Sequence, residues 1–216
     1  MTRRLLPRIL TCPLLNAYLL AWASIALLNA QPSSEPKFVF DTGEPAWVGE
    51  RIELPPGFAP DLGWKGVEQI RFAPGMFQAE AKDFFTYVLV FLLEPKAETS
   101  EAVLKQELLT YYKGLSEAVM EGKSQTVDTS TFSISLTKEN ALESAPEKAK
   151  NVTAYTAILK WVEPFATQKN QTLLLEIHCW EHLGQPVVLS CVSPLERDQL
   201  FWTQLRDIRK KFHFTP

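Results

Sequence analysis

Residues Leu173–Gly184 read LLLEIHCWEHLG, and the conformation of this stretch determines which chemistry the chain can perform. Within it, His178, Glu181 and His182 spell H-x-x-E-H, the signature of the inverted zinc-protease motif. On a helix, histidines four residues apart approach to about 6 Å and can share one metal ion. On a strand they lie about 13 Å apart, at roughly 3.3 Å per residue, and a single ion cannot bridge them.

The residues that follow this stretch favour the strand. The apolar positions of LLLEIHCW fit a helical face and a strand face equally well. The linker LGQP, however, leads directly into VVLSCVS, whose β-branched composition is typical of a strand, so the two segments are predicted to pair as a hairpin. This interpretation predicts no catalytic residue, cofactor or metal. His178 and His182 are metal ligands only in the alternative, helical interpretation.

The hairpin also makes a prediction about the two cysteines that follow the N-terminal region. Cys179 and Cys191 are equally distant from residue 185, which lies in the expected turn, so they are predicted to face each other. Facing residues of an antiparallel pair are close enough for a disulfide bond after modest adjustment. The alternative is a pair of reduced, buried thiols that act as small hydrophobic side chains.

The sequence outside the hairpin predicts further strands of the same sheet. VTAYTAILKWVEP, at residues 152–164, is predicted to precede the hairpin as a third antiparallel strand. FFTYVLVFLLE, Phe84–Glu94, is apolar at both parities, which is typical of a strand covered on both faces, and we place it at the sheet centre. Shorter strands are expected in FVF, ERIEL, GVEQIRF and FSISLT, the first of them an edge strand at Phe38–Phe40.

Two helices are predicted to pack on this sheet. The first covers residues 100–122, where apolar side chains recur at helical spacing; Gly114 inside it indicates close packing against the sheet. The second covers residues 194–212, since Ser193 to Glu196 form a capping box with Pro194 in the first helical position. The sequence therefore predicts one α+β domain over residues 38–216, with a mainly antiparallel sheet of about six or seven strands and two long helices.

The N-terminal segment is typical of a secretory signal peptide. Residues 1–30 carry three arginines and no acidic residue, and they include the apolar run LLNAYLLAWASIALL. We expect cleavage after Ala30, a flexible leader at residues 31–37, and a secreted or periplasmic protein. The alternative is an uncleaved N-terminal membrane anchor, for which Ile9 to Leu28 is just long enough, although Pro13 and Asn16 interrupt it.

The net charge of the chain and the motifs that it lacks restrict the classes of function that it can have. Without residues 1–30 the chain has 19 basic residues against 25 acidic ones, so no nucleic-acid partner is expected. The sequence contains no nucleophile elbow, phosphate-binding loop or dinucleotide fingerprint. Catalysis is therefore the less favoured interpretation, and a membrane is a partner only through an uncleaved signal segment.

One unusual stretch is a candidate ligand site. Leu54–Phe77 combines prolines, glycines and aromatic residues, a composition that can preorganise a concave surface. Trp64, Phe72 and Phe77 are the candidate ligand-binding side chains. The alternative is that this loop packs its aromatic side chains on the sheet.

The same stretch carries a resemblance. With PFATQKNQTLLLEIHCW, the pattern PPGFAP…WKG…IRFAPGMF resembles uncharacterised secreted bacterial proteins with no assigned activity. The order of strands, central helix, meander and final helix with Leu205, Ile208 and Phe212 also resembles the PsbP and Mog1 type of α/β sandwich. That resemblance implies a binding or assembly factor. The sequence thus predicts a non-catalytic exported protein that binds a protein or small-molecule partner; the alternative is a small secreted hydrolase or metal-dependent enzyme that uses HCWEH.

Overall fold

The computed structural model describes residues 38–140 and 149–213. The predicted signal peptide at residues 1–30 and the predicted leader at 31–37 lie outside the described residues. Within the described part, no helix is both long and apolar enough to cross a membrane.

The described chain forms an antiparallel sheet of seven strands with two α-helices, which confirms the predicted α+β class. In chain order the elements are β1 (Val48–Leu54), β2 (Gly66–Phe72), β3 (Tyr87–Leu93), α1 (Glu101–Gly122), β4 (Ser133–Lys138), β5 (Lys150–Val162), β6 (Asn170–His182), β7 (Gln185–Ser193) and α2 (Leu200–Lys210). The strand order is β1-β2-β3-β7-β6-β5-β4. The predicted central strand, β3, therefore lies beside the true centre, β7.

The helices cover opposite faces of the sheet. Every residue of β3 is buried, because Leu89 and Phe91 point toward the α1 side while Val88 and Val90 point toward the α2 side. We call the α1 side the front face and the α2 side the back face. This arrangement explains why the β3 sequence is apolar at both parities.

The second helix begins six residues later than predicted. Ser193 remains in β7, where its hydroxyl lies 2.8 Å from the Thr86 hydroxyl and accepts the backbone N–H of Leu195. The side chain expected to cap the helix is therefore used within the sheet, and α2 starts at Leu200. Its fully buried aromatic side chain is Trp202, whereas the neighbouring Phe201 is only partly buried.

The predicted edge strand at Phe38–Phe40 is wrong. Val39 and Phe40 are buried in the back-face core and form no strand. The Val39 N–H donates to the side-chain carbonyl of Gln69, and the Val39 carbonyl accepts the backbone N–H of His213. These side-chain and terminal contacts replace strand pairing.

Gly114 packs against a loop, and the predicted packing against the sheet is wrong. A Cβ at this position would lie 2.2 Å from the Phe58 carbonyl oxygen, whereas a Cβ at Gly122 would meet nothing within 4 Å. Alanine normally stabilises a helix interior relative to glycine by about 1 kcal/mol. We expect Gly114→Ala to have the opposite effect and to lower the free energy of unfolding by about 1–3 kcal/mol, because the loop that contains Phe58 must move away.

Urea denaturation of both glycine variants checks this expectation. Gly122→Ala is the matched control, and it should leave the unfolding midpoint unchanged or raise it slightly. An equal response of the two variants would show that Phe58 does not approach α1 as described.

Candidate binding surface

The HCWEH segment forms the end of β6, which confirms the predicted strand. His178 and His182 project from the same back face, about 13 Å apart at roughly 3.3 Å per residue, while Glu181 projects from the front face. One ion cannot contact both imidazoles, so the alternative assignment of His178 and His182 as a metal-binding pair is wrong. Among residues 38–140 and 149–213, no group of three His, Cys, Asp or Glu side chains could hold a metal ion.

The predicted contact between the two cysteines is also wrong. Cys179 pairs with Val188 and lies in the front core, whereas Cys191 pairs with Glu176 and lies in the back core. The turn consists of Leu183 and Gly184, both at positive φ, so the hairpin is centred between these two residues and not on residue 185. This shift places Cys191 on the face of the sheet opposite to Cys179. Both thiols are free and buried, and burial raises the pKa of each to about 12, so they remain protonated.

The three predicted ligand-binding aromatics are divided between two places. Trp64 is a core residue whose indole N–H donates to the Glu98 carbonyl and whose ring lies 5.2 Å from the Phe91 ring. Phe72 is the last residue of β2, and its ring centroid lies 5.6 Å from that of Phe77. The length of β2, roughly 20 Å, separates Trp64 from Phe72.

Phe72 and Phe77 belong to a larger apolar surface at one end of the front face. Phe77 also lies 5.5 Å from Phe165, centroid to centroid, and Val48 is the cross-strand neighbour of Phe72. Val48 is 76% exposed and Phe77 is 43% exposed. We call Val48, Phe72, Phe77 and Phe165 the aromatic patch. The sequence did not single out Phe165 or Val48, because only strand order and register bring them beside the other two.

The turn that carries Phe165 is held by a buried carboxylate. Glu163 is buried and accepts the backbone N–H groups of Phe165, Ala166 and Thr167. The Lys123 ammonium donates to the carbonyl oxygen of Phe165 at 2.6 Å. These bonds hold the backbone of the turn, and the Phe165 ring itself packs between the rings of Phe77 and Phe85.

A second carboxylate holds the turn that carries Phe77. Asp83 accepts the Gly75 N–H at 2.9 Å, and a Cβ at Gly75 would lie 2.0 Å from the Asp83 carboxylate. Met76 is buried beside Phe77, and its carbonyl accepts the Phe85 N–H. The patch is thus preorganised on two hydrogen-bonded turns, which lowers the entropic cost of binding.

A buried acidic residue projects from the front face of β2, four residues before Phe72. Glu68 is 1% exposed and accepts the Tyr111 hydroxyl at 2.8 Å through Oε1, while Oε2 has no hydrogen-bond partner within the described chain. Burial raises the pKa of Glu68 to about 7; the Tyr111 bond lowers it, and Glu50 adds to the increase. Tyr87 and Tyr112 bond to each other through their hydroxyls, and burial raises the pKa of both.

The charged cluster on the back face joins α2 to the sheet. Glu176 of β6 accepts hydrogen bonds from Arg206 and Arg209. Burial raises the pKa of Glu176, but the two arginines outweigh it, so that the pKa is lower than usual. Desolvation, with Arg209, lowers the pKa of the neighbouring His178 to about 4, so this imidazole is neutral at pH 7. The cluster is a structural contact between a strand and a helix.

Comparison with known proteins identifies no relative: no protein-family model, curated protein or solved structure matches this chain. Two surface hollows of the described chain, one beside Gly184 and one beside Asn170, are lined by residues outside Leu54–Phe77. The candidate site therefore depends on the aromatic patch, and the resemblances found in the sequence stay predictions.

Proposed function

We propose that this chain is a non-catalytic, exported protein that binds a protein or small-molecule partner in the cell envelope or outside the cell through the aromatic patch. The observation that carries the proposal is the rigid presentation of an exposed Phe77 between Phe72 and Phe165. Exposed aromatic side chains held by fixed turns are typical of a binding surface.

Binding at the aromatic patch removes apolar side-chain surface from water. Burying an exposed phenylalanine side chain on binding contributes roughly 1.5–3 kcal/mol. Because Phe77 and Phe165 are already oriented, little of this free energy is lost in ordering the protein. A partner with an apolar group of similar size can therefore bind with useful affinity.

Two sequence features support export and the absence of a nucleic-acid partner. Residues 1–30 have the layout of a signal peptide, and the remaining chain is acidic. A secreted hydrolase or metal-dependent enzyme that uses HCWEH is the alternative function. No observation favours it, because His178 and His182 lie on one strand, too far apart to act on one ion.

Replacing Phe77 tests the proposal. We expect Phe77→Ala to weaken binding of the neutral fluorescent probe N-phenyl-1-naphthylamine about tenfold, since the exposed ring supplies at least 1.4 kcal/mol of apolar contact. Ile158→Ala is the matched control, because Ile158 is 41% exposed on the back face and Phe77 is 43% exposed on the front face. The control should bind the probe as the unmodified protein does.

Two results would contradict the proposed function. One is equal affinity of the unmodified protein and Phe77→Ala for the probe. The other is turnover in a broad hydrolase panel that disappears when a single named side chain is changed.

A further inference from the structure

Among the described residues, nothing pairs with the outer edge of the sheet beside the aromatic patch. In the described part of the chain, β1 pairs only with β2, and no described backbone group forms hydrogen bonds along its outer edge. Its seven residues span about 20 Å, at 3.3 Å per residue. An exposed edge of this length can accept an additional strand from another chain.

The front face of β1 combines an apolar and an acidic side chain. Val48 and Glu50 both project from this face, and their cross-strand neighbours on β2 are Phe72 and Ile70. Glu50 is consequently a diagonal neighbour of Phe72 and of Glu68, each about 7–8 Å away. One end of the β1 edge thus adjoins the aromatic patch, and the middle adjoins two carboxyl groups.

Among the described residues, the carboxyl groups of Glu50 and Glu68 have no ion-pair partner. Arg51 pairs with Glu53 at 2.6 Å on the back face, and the other ion pairs of the described chain involve neither Glu50 nor Glu68. The buried Oε2 of Glu68 has no hydrogen-bond partner there, and Glu50 increases the electrostatic cost of charging Glu68. A positive charge supplied by a partner would relieve both effects.

We propose that β1 is the docking edge for an extended segment of a partner protein, which carries a basic side chain beside Glu50 and an apolar side chain beside Val48. The inference rests on the proposed binding function of the aromatic patch and adds the chemistry of the partner. In strand addition, backbone hydrogen bonds supply affinity, and alternate side chains supply specificity.

The geometry determines the spacing in the partner. Side chains two residues apart project from the same face of a strand, as Val48 and Glu50 do. The partner segment must therefore place its basic residue two positions from its apolar residue. The apolar side chain then packs on Val48, next to Phe72, while the basic side chain meets Glu50, with Glu68 diagonal to Glu50 on β2.

Three synthetic peptides test the inference. The first is a capped nine-residue peptide of threonine and serine that carries a lysine two residues from a phenylalanine. The second has glutamine in place of the lysine, and the third is the lysine peptide with alternate backbone amides N-methylated. Affinities for the purified protein are measured by fluorescence anisotropy at low and high salt.

The expected result is a ratio of affinities. The lysine peptide should bind about three- to fivefold more tightly than the glutamine peptide at low salt, the range for a partly exposed charge pair. Glu50→Gln should reduce this ratio to one, and Glu53→Gln, on the back face of the same strand, should leave it unchanged. The N-methylated peptide should lose binding, because it cannot pair with the edge.

Other outcomes would overturn the inference. Equal binding of the lysine and glutamine peptides by the unmodified protein would remove the charge contact, and binding of the N-methylated peptide would remove the strand addition. A protein that is dimeric in solution and binds no peptide would indicate a second copy on this edge. In each case, binding of the neutral probe that depends on Phe77 would leave the proposed function intact, so the two failures are distinguishable.

Discussion

Glu176→Ala is expected to lower the free energy of unfolding by about 3–5 kcal/mol, the usual cost of breaking a buried ion pair by removing one partner. Glu176 accepts a bond of 2.6 Å from Arg206 and one of 3.2 Å from Arg209. The Arg209 side chain is 6% exposed, so the substitution leaves a guanidinium charge buried without its carboxylate. The main effect should be loss of the contact between α2 and β6.

Urea denaturation followed by tryptophan fluorescence measures this effect, because Trp202 lies fully buried in α2. Asp207→Ala is the control: Asp207 pairs with Lys210 at 3.3 Å, and both side chains are at least half exposed. An exposed pair of this kind contributes about 0–1 kcal/mol. Similar midpoints for Glu176→Ala and Asp207→Ala would contradict the structural role of the back-face cluster.

Glu68→Gln is expected to remove a pH dependence of stability worth about 3 kcal/mol, the free energy that corresponds to moving a pKa from 4.5 to about 7. Because this pKa is raised on folding, the folded protein retains a proton that the unfolded chain releases. The contribution of Glu68 is therefore full below pH 4.5 and is lost as the pH rises to about 7. Above that pH, the folded protein keeps a buried charge, and Glu68→Gln should be the more stable form.

The comparison between the two proteins isolates Glu68 from other titrating groups. Desolvation lowers the pKa of His178 to about 4, so His178 adds stability as the pH rises through the same range and opposes Glu68. Desolvation raises the pKa of Glu50, which acts in the same direction as Glu68. Both of these groups are present in both proteins, so most of their contribution cancels in the difference.

Free energies of unfolding at pH 4.5, 6 and 8 check this expectation. The difference between the unmodified protein and Glu68→Gln should change steadily across the series. Glu53→Gln, at an exposed position of β1, is the control, and its difference should change across the series by no more than the roughly 0–1 kcal/mol that an exposed pair such as Arg51 and Glu53 contributes. A constant difference for Glu68→Gln as well would show that Glu68 is not desolvated in the folded protein.

Most strands and the first helix were predictable because their signals are local. Alternation of apolar residues, Val, Ile and aromatic content, and turn residues such as Leu183-Gly184 act over a few positions, and they placed β6 and α1 correctly. The strand at HCWEH also determined the chemistry, since it separates His178 from His182. The start of α2 was not predictable from its capping box, because Ser193 forms its hydrogen bond with Thr86, which is distant in the sequence.

The pairing of Cys179 and Cys191 failed for a reason that sequence patterns do not contain. A shift of the hairpin midpoint by less than two residues exchanges the faces on which side chains lie. The candidate site was likewise only partly predictable from the sequence. Two of its predicted residues, Phe72 and Phe77, do lie together, but Trp64 packs in the core at the other end of β2.

The amino-acid sequence alone was therefore enough to specify an antiparallel α+β domain and an extended HCWEH segment, because periodicity and turn chemistry depend on neighbouring residues. Folding in three dimensions was required to bring Val48, Phe72, Phe77 and Phe165 into one patch and to place Glu50 beside it. The physical reason is that strand order and register arise from packing between distant segments. No short stretch of the chain records that packing.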